Sequence, residues 1–128
     1  MVGIVVISHS RKLAEGVVEL AAAMADTVRI VAAGGLEDGS IGTSFARISQ
    51  AVEEAYSDDG VVLIMDMGSA VMTAEMVMET MTDRRLLLLD CPVVEGAVFA
   101  AVEAAAGATL EEIADRIAEV REAKKLPD

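Results

Sequence analysis

Aromatic side chains make up only 2% of the 128 residues, and tryptophan is absent. Yet 54% of the chain is apolar, so a core here must be built from Ala, Val, Leu, Ile and Met. That mix suits helices packed closely on a sheet better than an all-β sandwich, which leans on aromatic and β-branched residues. Basic residues are also scarce, ten against 22 acidic, for a formal charge of −12. The deficit argues against nucleic acid as a partner, since neutralising phosphates needs Lys and Arg, and equally against a peripheral role on an anionic membrane. It is uneven: residues 1–52 hold four basic and five acidic side chains, and the rest of the negative charge lies beyond them. An acidic second half keeps a protein soluble and can steer a basic protein partner.

One cysteine, Cys91, cannot form an internal disulfide, so nothing suggests export. The N-terminal apolar run is six residues long and lacks a basic leader, the mark of a strand and not of a signal peptide. No stretch of about 18 residues is apolar and free of charge, so no membrane span is expected. The expected location is the cytoplasm. The length is that of one domain, residues 1–128.

Val2–Ile7 is a continuous apolar run, the pattern of a strand buried on both faces. From Arg11 the period changes, and Leu13, Val17, Leu20, Ala21 and Met24 fall on one helical face. Val28–Ala33 is a second strand closed by Gly34-Gly35, and Leu36–Gly42 a loop. Phe45, Ile48, Val52 and Tyr56 mark a second helix, ended by Ser57-Asp58-Asp59-Gly60. Val61–Met65 is a third buried strand; Gly68-Ser69 opens a third helix that runs to about Met81. Arg85–Leu89 is a fourth strand, punctuated by Pro92. Two Ala-rich helices follow, near Val94–Ala106 and Leu110–Lys124. Thr109 with Glu112 reads as a capping box, and Leu110, Ile113, Ile117 and Val120 as the last helix's apolar stripe. Strands alternating with helices at this spacing predict an α/β fold: an open, mainly parallel four-stranded sheet with helices on both faces.

Ligands of such sheets bind beyond the carboxyl ends of the strands. Polar and glycine residues cluster there: Ser8-His9-Ser10, then Gly34-Gly35 with the loop through Ser44, Asp66-Met67-Gly68-Ser69, and Asp90-Cys91-Pro92. His9 is the only histidine, and it sits at a strand-to-helix corner. Neutral imidazole is a good nucleophile near pH 7, its reference pKa being about 6.5, and a phosphorylated ring nitrogen is a good leaving group. His9 is therefore expected to carry a phosphoryl group. Asp66 is the best-placed carboxylate to accept a hydrogen bond from one ring nitrogen, a role compatible with capping the helix at Gly68. Ser10, Gly39, Gly42, Thr43, Ser44, Gly68 and Ser69 are expected to hold phosphate oxygens, at helix N-termini and beside glycines that allow close approach. No Walker A sequence or GxGxxG is present, so a bound nucleotide is not expected. A single His and a single Cys do not build a metal site; neither metal nor cofactor is expected. Six of the eight methionines lie between Met65 and Met81. They make the third helix apolar nearly all round, either because it is deeply buried or because pliable side chains fill a subunit interface.

Several blocks resemble the DhaM family, the phosphotransferase subunits of phosphoenolpyruvate-dependent dihydroxyacetone kinases. They are Gly3-Ile4-Val5-Val6-Ile7-Ser8-His9-Ser10 with Leu13-Ala14-Glu15-Gly16; Gly34-Gly35 with Asp38-Gly39-Ser40-Ile41-Gly42-Thr43-Ser44; Leu63–Ala70 with Met72-Thr73-Ala74-Glu75; and Pro92-Val93-Val94-Glu95-Gly96-Ala97. They follow the family's order from residue 3 to about 102, and the tail after Gly107 adds little.

The resemblance implies a fold similar to mannose-type IIA domains and a homodimer. It implies that His9 matches the family's phosphorylated histidine and that Asp66 stands where related domains place its carboxylate partner. It further implies that the donor is the carrier HPr, and that the acceptor is ADP held on the DhaL subunit, which then phosphorylates dihydroxyacetone bound to DhaK. Some family members carry HPr-like and enzyme-I-like domains after this one. For this chain the donor is either a separate HPr or a further part of a longer protein. Two other functions remain open at this point: a mannose-type IIA component donating to a IIB domain, and a non-enzymatic module that binds a small anion. The Gly-Thr-Ser and Val-Glu-Gly-Ala blocks stand closer to DhaM.

Overall fold

A computed structural model describes all residues, 1–128. The strands are β1 (Gly3–Ser8), β2 (Ile30–Gly34), β3 (Val61–Met65) and β4 (Leu86–Leu89); the helices are α1 (Arg11–Met24), α2 (Phe45–Ala55), α3 (Ser69–Glu79), α4 (Val93–Ala105) and α5 (Leu110–Glu122). All strand pairs are parallel, in the order β2-β1-β3-β4. The predicted fold class and element order hold, with shifts of one or two residues at most ends.

β1 and β3 are central, which explains why their sequences lack alternation. Within the apolar run the two faces are still sorted. Ile4, Val6, Val62 and Ile64 pack with α1, α4 and α5, whereas Val5, Ile7, Val61 and Leu63 pack with α2 and α3. Each strand residue therefore meets helix on whichever face it points to.

Small residues set the helix faces, which corrects the stripe expected for α1 and decides between the two readings of α3. In α1 the buried residues are Ala14, Val17 and Ala21, while Leu13, Leu20 and Met24 are exposed. The stripe is rotated because α4 presents Gly96, Ala97, Ala100, Ala101 and Ala104 inward, and only small side chains allow such close packing. Likewise α3 buries Ala70, Ala74 and Val77 and leaves Met72 and Met76 outside, 73% and 53% exposed. It is not a deeply buried helix. Of the residues that mark α2 in the sequence, Phe45 is exposed at its first position, whereas Ile48 and Val52 are buried. The α5 stripe buries Leu110, Ile113 and Ile117, with Val120 half-buried. Its Thr109–Glu112 capping box is formed in both directions.

β1 is followed by α1 and a step to β2 on one side; β3 is followed by α3 and a step to β4 on the other. These helices also lie on opposite faces of the sheet. The two chain paths diverge between β1 and β3, which opens a crevice at their carboxyl ends.

Candidate functional site

Register builds the site. Ile7 of β1 pairs with Met65 of β3, so the next residues, Ser8 and Asp66, emerge side by side, with His9 immediately after. The Asp66 N–H continues the ladder to the Ile7 carbonyl at 3.0 Å.

His9 Nδ1 lies 3.1 Å from Asp66 Oδ1 and 3.3 Å from Oδ2. The His9 backbone N–H donates to Asp66 Oδ2 at 3.1 Å, the Ser8 hydroxyl to the same oxygen at 3.0 Å, and the Met67 N–H to Oδ1 at 2.8 Å. The two amides and the hydroxyl are all donors, which favours the ionised carboxylate. Burial pushes the Asp66 carboxyl up, but the His9 amide, the ring, the Ser8 hydroxyl and the ring's charge together hold it below the usual range. An ionised Asp66 accepts a proton-bearing Nδ1, which leaves the lone pair of neutral imidazole on Nε2. Ser69 Oγ stands 2.9 Å from Nε2, in a contact at the surface. The imidazole is 18% exposed and Asp66 7%.

Ser10, Ser44 and Thr109 cap α1, α2 and α5 by accepting backbone N–H groups, whereas Gly68 and Pro92 give α3 and α4 no side-chain cap. The Ala70 and Val71 N–H groups close the first turn of α3 on the Met67 and Gly68 carbonyls, and Ser69, at the positive end of the helix dipole, meets Nε2, an arrangement suited to an anion.

The other expected phosphate residues take separate places. Ser10 N–H donates to Ser8 Oγ at 2.9 Å, and its hydroxyl caps α1. Gly42, with φ 150°, donates its N–H to the His9 carbonyl at 2.9 Å, pinning the loop before α2 against the histidine turn. Thr43 Oγ1 meets Thr73 Oγ1 at 3.0 Å, which ties that loop to α3. Ser44 caps α2 and hydrogen-bonds Glu37. Gly39 lies in an exposed turn and donates to the Leu36 carbonyl at 2.9 Å. Only Ser69 touches the ring.

Ser8 and Thr73 were missed from the sequence. The available signals were a hydroxyl ending an otherwise apolar strand, and a threonine one helical turn after Ser69. Gly34 is needed beneath the site: a Cβ there would come 2.6 Å from the Ser10 carbonyl oxygen and 2.8 Å from Arg11 Cα. Cys91 is half-buried; burial first, then Asp90, pushes its thiol up to about 11 against the opposing pull of Arg121, so it offers no thiolate. No group of three or more His, Cys, Asp or Glu is placed to hold a metal ion. The largest groove, about 790 Å³ between α4 and the end of α5, contains neither His9 and Asp66 nor any of the expected phosphate residues.

At the β1/β3 crevice a histidine is paired with a carboxylate on one ring nitrogen and meets the serine that opens α3 with the other, and the comparisons give the class of protein that holds it. The family described as "PTS system fructose IIA component" matches residues 3–114. The phosphotransferase subunit DhaM of the dihydroxyacetone kinase of Lactococcus lactis is 42% identical over 115 residues, covering 90% of this chain and 92% of that one. The DhaM phosphoryl donor subunit of Escherichia coli K12 is 37% identical over 132 residues, covering 98% of this chain but 28% of that longer protein. The chain belongs to the phosphotransferase-system IIA family and, within it, to the DhaM group. A phosphotransferase EIIA from Streptococcus agalactiae shares the fold, with a TM-score of 0.71, 14% identity, and coverage of 94% and 92%. No helix is long and apolar enough to cross a membrane.

Proposed function

We propose that His9 takes a phosphoryl group from phospho-HPr and passes it to ADP bound on DhaL, acting in the cytoplasm as the donor subunit for dihydroxyacetone phosphorylation with DhaK downstream. The carrying observation is that Asp66 occupies Nδ1 while Nε2 alone meets the crevice through Ser69. In the first step the Nε2 lone pair attacks phosphorus, the donor's P–N bond breaks, and the donor imidazole leaves with that electron pair. Nδ1 keeps its proton, and Asp66 balances the charge on the substituted ring. In the second step a β-phosphate oxygen of ADP attacks phosphorus, the P–Nε2 bond breaks, and ATP forms on the acceptor. Positioning and charge stabilisation supply the catalysis, with Gly68, Ser69 and the positive end of the α3 dipole as the natural holders of the oxygens and Thr43, bonded to Thr73 of α3, as a further one.

The relatives named DhaM support dihydroxyacetone kinase over a sugar transporter as the destination. Exposed Ile41, Phe45 and Met67 beside the site give a protein partner apolar surface to cover. A homodimer belongs to the same proposal.

Incubation with phosphoenolpyruvate, enzyme I and HPr should raise the intact mass by one phosphoryl group, acid-labile and absent from His9→Ala. Labelling that persists in the variant overturns the assignment. Discharge by DhaL with ADP, and not by a IIB domain, is the expected acceptor result; saturable anion binding without covalent phosphate would instead favour a regulatory module.

A further inference from the structure

We propose that Ser8 is a positioning residue for phosphoryl transfer, acting through Asp66 to fix which nitrogen of His9 is free to attack; the idea rests on the carrier role of His9 proposed above. Ser8 closes β1 and is wholly buried, and Ser44 is the only other buried polar residue. A buried hydroxyl must be partnered or it costs stability, and this one is partnered on both sides. It accepts the Ser10 N–H at 2.9 Å and donates to Asp66 Oδ2 at 3.0 Å.

That pairing gives the hydroxyl a direction. With the Ser10 amide pointed at its oxygen, its single proton is committed to Asp66. Five groups then form one directed chain: Ser10 N–H to Ser8 O–H, to the Asp66 carboxylate, which receives Nδ1–H from the other side, while Nε2 accepts from Ser69. Three donors other than the ring hold the carboxylate: the Ser8 hydroxyl and the amides of His9 and Met67. The two amides belong to His9 itself and to the residue after Asp66, and move with the pair. Ser8 is the only side chain among the three, and its Oδ2 contact sits on the β1 side of the crevice. It therefore sets the carboxylate's rotation relative to the ring. A carboxylate free to rotate would hold Nδ1–H less firmly, and the ring would more often place its proton on Nε2, where it blocks attack on phosphorus.

The test is Ser8→Ala, with Ser8→Cys as a nearly isosteric partner that keeps a weak donor. Two-bond proton–nitrogen correlation spectra of His9 in the intact protein report the ring tautomer, and phosphorylation by HPr reports kcat and KM. Wild type is expected to be mainly Nδ1–H. Ser8→Ala should raise the Nε2–H share and lower kcat about tenfold, the range of one hydrogen bond, with KM for HPr unchanged; Ser8→Cys should fall between. A wild-type tautomer and kcat in either folded variant would overturn the proposal and leave Ser8 a partner for buried amides alone, as would a loss confined to KM. If wild type takes no phosphate, the carrier role fails, and the tautomer spectra still decide the link between Ser8 and Asp66.

Discussion

Asp66 is the residue on which the site turns, because one carboxylate collects four donors and orients the only histidine. Its folded value lies below its ordinary one, so its ionised form stabilises the fold above the usual Asp range. That stabilisation is lost as pH falls through the lowered value. Asp66→Asn should therefore be less stable than wild type at neutral pH, with the gap closing in acid; a gap in denaturant midpoint that does not change with pH would mean that charge plays no part. The amide can still accept a hydrogen bond but brings no negative charge to a substituted ring. Phosphorylation should slow by about 10–100-fold, the usual cost of losing a partner that orients a histidine. An unchanged rate would leave Asp66 as a structural acceptor only. The sequence pointed to both residues because each follows a buried apolar strand. Their pairing was an inference that depended on β1 and β3 being neighbours, and Ser8 escaped notice because its role exists only once that register is set.

At the level of elements, the strands were legible because burial on both faces writes an unbroken apolar run. Helix faces were less so. A stripe drawn through the largest apolar residues of α1 picks Leu13, Leu20 and Met24, whereas the sheet and α4 accept the alanines. Size chooses here against hydrophobicity, and a single sequence does not show which partner will be close. The same closeness governs the histidine turn. Gly34 ends β2 beneath Ser10 and Arg11, where a methyl group would meet backbone atoms at 2.6 and 2.8 Å. Gly34→Ala must push the start of α1 away, and with it His9. The expected cost is about 1–3 kcal/mol, as for overpacking elsewhere, read as a lower Tm, together with slower phosphorylation. Full stability and full rate in this variant would show that the turn yields without disturbing the ring. The bracing loop was half legible: Gly42 and Thr43 were expected near phosphate, and the structure uses Gly42 to hold the His9 carbonyl and Thr43 to reach Thr73.

For the whole molecule, the open question of the methionine-rich helix becomes a question of assembly. α3 turns alanines and Val77 to the sheet, so its methionines are surplus to the core, and Met72 and Met76 stand one turn apart in solvent. On the same side of the sheet order β4 is an edge strand of four leucines, paired only to β3. Glu75, Met78, Glu79 and Leu88 line one shallow groove that joins the two elements. An open edge next to exposed apolar side chains invites pairing unless it is covered, and a second copy of the chain would cover both at once. The proposed homodimer is placed across this surface. Replacing Met72 and Met76 together by Glu puts two charges where burial would strip their water, at a cost no flexible side chain can offset. Light scattering on wild type should give the mass of two chains and on the double variant that of one, with the far-ultraviolet spectrum unchanged because neither side chain is in the core. A dimer that survives both charges would move the interface off α3.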